Sequence, residues 1–198
     1  MATELELKAV VSDPEALRRA LLAAGAREAF SGMLRDRRFD RHGELEQLDH
    51  ILRLRRWIPR EGPERVELGW KGPKSLSPEG YKRSEEIEIA TNHGAEALRL
   101  LEALGYGIVH AIDRYIEVYR LDDTSARLEW YPRMDVLVEI EGTADGIERL
   151  IVATGLPRSS CVPDALVEFA TRYEARTGRR AVLSEALLGD EQPAWSAA

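Results

Sequence analysis

A single cysteine, Cys161, stands in a chain of 198 residues, so no disulfide framework holds this fold. That scarcity suits a reducing compartment, and a cytoplasmic location is the expectation. No apolar run approaches the roughly 18 residues a membrane-spanning helix needs, and the first residues show no charged-then-apolar signal pattern. Nowhere do the glycines fall into G-x-x-x-x-G-K-[ST], which excludes a P-loop. His42, His50, His93 and His110 keep no metal-ligand spacing and are expected in loops or at the surface. Net charge is −7, the wrong sign for general nucleic-acid binding. The expectation is one soluble domain over residues 1–188, with a flexible tail at 189–198.

Charge itself is plentiful, and it is patterned. Glu4-Leu5-Glu6-Leu7-Lys8, Glu86-Ile87-Glu88-Ile89 and Glu139-Ile140-Glu141 each place two carboxylates on one face of a strand. Apolar residues occupy the opposite face. A helix-like run ending at Gly25, Gly105 or Gly155 follows each segment, and each glycine sits where a left-handed residue closes a helix. Other strands carry basic or mixed faces: Arg53 and Arg55 against Leu52 and Leu54, Glu67 and Lys71 against Val66, Leu68 and Trp70. Arg127 and Glu129 alternate likewise with Leu128 and Trp130, while the parity around Tyr115–Tyr119 stays open. Proline and glycine clusters break these runs as hairpin loops do. Four helices are expected, the first capped by Asp13 with Pro14 at its first position, the last near 164–176.

An ordinary antiparallel sheet turns such charges to solvent. Here, however, acidic and basic strands are largely segregated, and the acidic pair recurs in equivalent strand–helix units. About eight alternating strands can instead close into a barrel with a charged lumen and helices over its apolar exterior. The expected fold is therefore α+β, a closed antiparallel eight-stranded barrel. Opposed carboxylates and guanidinium groups in one lumen call for a ligand that is anionic and cationic at once. A metal-bound polyphosphate is both.

The residues resemble the CYTH superfamily, the triphosphate tunnel metalloenzymes, which include class IV adenylyl cyclases, thiamine triphosphatases and inorganic triphosphatases. The resemblance runs in order through Glu4-x-Glu6-x-Lys8, Leu52-Arg53-Leu54-Arg55, Trp70-Lys71-Gly72-Pro73, Arg83-Ser84-Glu85-Glu86-Ile87-Glu88, Asp113-Arg114-Tyr115 and Glu139-Ile140-Glu141. It covers about residues 1–175 and departs where Glu129 takes an acidic place without a following glycine turn.

What the resemblance implies is a hydrolase of inorganic triphosphate, thiamine triphosphate or a nucleoside triphosphate. The alternatives are a class IV adenylyl cyclase and a non-catalytic polyphosphate-binding module. Arg53, Arg55, Lys71 and Arg114 would bind the triphosphate, since arginine forks and lysine charges suit phosphate oxygens. A further basic position stays open: strand parity selects Lys82, the resemblance selects Arg83, and a bulge near Ser84 would reconcile them. Mg²⁺ or Mn²⁺ prefers hard oxygen donors. One ion is assigned to Glu4, Glu6 and Glu139 or Glu141, a second to Glu86, Glu88 and Glu129. Lys8 is either a salt-bridge partner or, with a lowered pKa, the group that activates water. Expected partners are a small-molecule triphosphate, no nucleic acid and no membrane, with a homodimer left open.

Overall fold

The computed structural model describes residues 2–197, with side chains described for 5–196. Nine strands run through it: β1 Ala2–Val10, β2 Arg27–Asp40, β3 Ile51–Pro59, β4 Arg65–Lys71, β5 Ser75–Leu76, β6 Lys82–Thr91, β7 Gly107–Leu121, β8 Thr124–Trp130 and β9 Leu137–Gly142. The helices are α1 Pro14–Ala23, α2 Glu44–Gln47, α3 Gly94–Ala103, α4 Ala144–Thr154 and α5 Leu166–Thr177. Pairing runs β1-β9-β8-β7-β2-β3-β4-β6, and β6 pairs back onto β1. All these pairs are antiparallel, so the eight strands close into a barrel, and β5 is a two-residue addition to β6. No helix among the described residues is long and apolar enough to cross a membrane.

The outer faces build the core. Leu7, Ala9, Ala126, Leu128, Val138 and Ile140 meet Leu17 and Leu21 of α1 and Ile147, Leu150 and Ile151 of α4 in one buried cluster. Tyr115 and Tyr119 join it, which fixes the parity of β7: Arg114, Ile116 and Val118 face inward. Elsewhere α3 lays Leu101 over Phe39, Leu54 and Val66. The expected caps are present: Asp13 accepts from the Ala16 amide at 2.8 Å, and Gly155 closes α4 at φ +72°. The outer face of β6 is the exception, because Ile87 and Ile89 stand exposed instead of serving the core.

Besides the short α2, which makes five α-helices among the described residues where four were expected, two segments differ from the sequence reading. The first is β2, a 14-residue strand that was not expected. Its alternation is masked because Arg35 and Arg37 lie on the outer face, where they pair with Glu185 and Asp113. The second is the supposed tail at 189–198. Its described part packs down: Ala194 N–H donates to the Pro132 carbonyl at 3.0 Å, and Trp195 rests on the main core cluster. Glu191 pairs with both Arg133 and Arg179. A flexible tail was the expectation, but two ion pairs and one indole anchor this segment.

Candidate functional site

Strand parity carries the charges into one lumen. Glu6 and Lys8 of β1, Asp36 and Arg38 of β2, Arg53 and Arg55 of β3, and Glu67 and Lys71 of β4 line a cavity of about 890 Å³. Lys82, Glu86 and Glu88 of β6, Arg114 of β7, Arg127 and Glu129 of β8, and Glu139 and Glu141 of β9 complete its wall. Leu34, Trp57, Ile116 and Val118 cluster on these same inward faces, forming an apolar floor at one level of the barrel. Beside the opposite mouth, α5 packs Phe169 and Tyr173 against Tyr131 and Leu137.

At the acidic pole, Glu6 lies directly opposite Glu141 across the β1–β9 pair, and Lys8 lies opposite Glu139. Three lysines surround the Glu6 carboxylate: Lys82 at 2.6 Å, with Lys8 and Lys71 each at 3.3 Å. Burial pushes the Glu6 pKa up, but Lys8, Lys71 and Lys82 outweigh it and hold the carboxyl well below its ordinary value. Lys8 also pairs with Glu139. Its own pKa falls to about 8 because burial disfavours the ammonium, aided by Lys82 and Arg127 and opposed by Glu6 and Glu129.

Arginines occupy the remaining wall. Arg53 bridges Glu86 and Glu88 at 2.9 Å each, while Arg55 holds Glu88 and Glu67, the latter at 3.2 Å. Lys71 also pairs with Glu86. Glu129 receives Arg127 at 2.8 Å, Arg114 at 3.3 Å and the Tyr131 hydroxyl at 2.5 Å. Burial raises the Glu129 pKa, yet Arg114, Arg127 and Lys8 bring it down to about 2. Arg127 reaches Glu139 as well, and Ser125 donates to Glu141 at 2.9 Å.

The lumen therefore gathers Lys8, Arg53, Arg55, Lys71, Arg114, Glu6, Glu86, Glu88, Glu129, Glu139 and Glu141. Glu4 is on β1, where its backbone pairs with Ser84, but its side chain lies outside the described residues. Two assignments are corrected. Arg83 points outward, exposed and donating to Ser75, whereas Lys82 enters the lumen. Regular pairing of residues 82–86 with β1 leaves no bulge to reverse that parity. The grouping of Glu86, Glu88 and Glu129 around one ion does not form either. Glu86 and Glu88 are taken up by arginines on β3, while Glu129 is committed to Arg114, Arg127 and Tyr131 on the other wall. Among the described residues, no three acidic or histidine side chains converge as a ready ion site. Sequence reasoning assigned no role to Asp36, Arg38, Glu67 or Arg127. For Arg127 and Glu67 the signal was available in their alternation; β2 offered none.

His42, His50 and His110 line one mouth of the cavity, and His50 packs edge-on against Trp70 with ring centroids 5.0 Å apart. Cys161 is buried in the main core cluster, as a structural residue would be.

The site is thus a closed antiparallel barrel with inward-facing charge on each of its eight strands. No protein-family profile and no curated protein sequence matches the chain. Solved structures do match in fold. A Vibrio parahaemolyticus protein provisionally designated an adenylate cyclase superposes with a TM-score of 0.69 at 19% identity, covering 85% of this chain and 97% of that one. HpAC1 of Hippeastrum, described as an adenylyl cyclase on provisional grounds with a dominant triphosphatase activity, gives 0.59 at 18%, covering 93% and 99%. A chain of the Schizosaccharomyces pombe Mediator head module gives 0.62 at 14%, covering 81% and 96%. At these identities the likeness is one of fold.

Proposed function

We propose that this chain is a divalent-metal-dependent hydrolase of a triphosphate held inside the barrel. The observation that carries this reading is the lumen: an enclosed wall where buried carboxylates and buried cations face one cavity. Such opposed charge is costly to bury unless paired, and a metal-complexed polyphosphate pairs with both sets. HpAC1, which shares the fold, is described with a triphosphatase activity, and that supports the same class here.

The acidic pole offers hard oxygen donors, and a cation would take the place that Lys8, Lys71, Lys82 and Arg127 hold on Glu6 and Glu139. Like charges set directly opposite on neighbouring strands repel, and Glu6 and Glu141 are so placed, with Glu139 at the next inward position. Glu6, Glu139 and Glu141 would hold Mg²⁺ or Mn²⁺, with Glu4 as the fourth carboxylate of the set. Bound there, the ion would neutralise phosphate oxygens and withdraw charge from phosphorus. Arg53, Arg55, Lys71, Lys82 and Arg114 bind the triphosphate oxygens and favour the charge that builds on them during transfer. Lys8, its proton affinity lowered by burial, takes a proton from the attacking water at Nζ. Glu139 and Glu6 orient that amine.

The size of the cavity favours one second reading. About 890 Å³ is within the range of organic-ligand sites and leaves room for a nucleoside beyond the phosphates. On that reading the enzyme is a class IV adenylyl cyclase, and a ribose hydroxyl replaces water as nucleophile. Purified protein incubated with tripolyphosphate, thiamine triphosphate or ATP, each with Mg²⁺ or Mn²⁺, decides among them. Orthophosphate release is expected. Cyclic AMP with pyrophosphate would reassign the chain as a cyclase, and tight binding without any product would make it a binding module.

A further inference from the structure

Among the described residues, Arg38 is the buried or half-buried lumen arginine that has no carboxylate within ion-pair distance. Arg53, Arg55, Arg114 and Arg127 each have at least one. Arg38 donates no side-chain hydrogen bond among the described residues, and its Nε is buried without a partner. The β2–β3 register sets it directly opposite Arg53, so two guanidinium groups stand side by side on the lumen wall. Cross-strand like charges destabilise a sheet. Arg114 adds a third: burial lowers the Arg38 pKa most, Asp36 opposes it, Arg114 and Arg53 lower it further, and Tyr131 raises it. Asp36 is two residues along the same strand face, and neither of its buried carboxylate oxygens reaches a donor. Arg53 is answered by Glu86 and Glu88 and Arg114 by Glu129, so Arg38 is the member of the three whose guanidinium pairs with no carboxylate among the described residues.

We propose that Arg38, Arg53 and Arg114 form an arginine subsite that takes one phosphoryl group of the triphosphate. Arg38 then serves as a binding residue beyond those assigned from the sequence. The inference rests on the triphosphate reading and adds a polarity to it. Lys8, Lys71 and Lys82 converge on Glu6 at the acidic pole, while the arginine trio holds the chain of phosphates at a second position. An anion between Arg38 and Arg53 relieves their repulsion and supplies the acceptor that the Arg38 Nε lacks.

The test is calorimetric titration of tripolyphosphate into the whole protein with a chelator present, so that binding is read without turnover. Wild type is compared with Arg38→Gln and Arg38→Lys. Losing one charge-assisted fork predicts roughly ten- to a hundredfold weaker binding for Arg38→Gln, with Arg38→Lys in between. Because the substitution removes a like-charge contact, the ligand-free melting temperature of Arg38→Gln is expected to equal or exceed that of wild type. Equal affinity in wild type and Arg38→Gln would overturn the subsite while leaving the triphosphate reading intact. A clear fall in the ligand-free melting temperature would overturn it too, by making Arg38 a structural counter-ion of Asp36. If wild type failed to bind tripolyphosphate both with the chelator and with Mg²⁺ supplied instead, both readings would fall together.

Discussion

Lys8 sits between two carboxylates and is nevertheless easier to deprotonate than a free lysine, because burial costs the ammonium more than Glu6 and Glu129 return. If its neutral amine activates water, kcat/KM should climb with pH and level off above about 8. Lys8→Gln should lose that limb and about 10²–10⁴ in kcat. The linkage has a definite sign. Between about 8 and the ordinary value of 10.5, the unfolded chain holds a proton on Lys8 that the folded chain has released. Stability of wild type relative to Lys8→Gln should therefore rise across that window, as read by denaturant unfolding at several pH values. Glu129 behaves in the opposite range. Its carboxylate, held near 2, contributes stability that is complete above 4.5 and is lost as pH falls toward 2. Glu129→Gln should flatten the acid limb of the stability profile. Glu6 has a structural part as well as a chemical one. Removing its charge leaves Lys8, Lys71 and Lys82 facing one another, so Glu6→Gln should lose turnover and also about 3–5 kcal/mol of stability in denaturant titrations.

Elements place these side chains with little freedom. The eight strands are held by antiparallel pairing, irregular in β2–β7 at Glu28/Phe30 and Arg38/Phe39, and a one-residue slip would carry every charge in a strand to the outside. Their exterior is clamped by helices seated closely on the sheet. At Gly146, in the first turn of α4, an added methyl would sit 1.8 Å from the Thr124 hydroxyl at the start of β8. Gly146→Ala should thus lower stability by about 1–3 kcal/mol through overpacking, measured by chemical unfolding. It should also weaken tripolyphosphate binding, since β8 and β9 carry Glu129, Glu139 and Glu141. Placement of the elements around the first acidic pair was legible in the sequence because Asp13, Pro14 and Gly25 mark both ends of α1. Placement of β2 was not, since its outward arginines answer partners 76 and 150 residues away.

For the molecule as a whole, the C-terminal segment behaves as a strap. Truncation after residue 188 removes Trp195 from the main cluster and Glu191 from its two arginines, and should lower the melting temperature. A free tail would leave it unchanged. Strands with one charged and one apolar face could be read from sequence because strand periodicity is local: residues two apart share a face, and turn residues announce where the chain reverses. Arg53, Lys71 and Glu139 were recognisable on that basis. Which cation meets which carboxylate is a matter of strand order and register, and these are long-range. Parity already favoured Lys82 over Arg83, but pairing of β6 with β1 brought Lys82 onto Glu6, and pairing of β2 with β3 set Arg38 beside Arg53. Alternation dictated that this protein carries charged faces; closure of the sheet alone decided that those faces look at each other, because only a ring of strands brings residues far apart in the chain across one cavity.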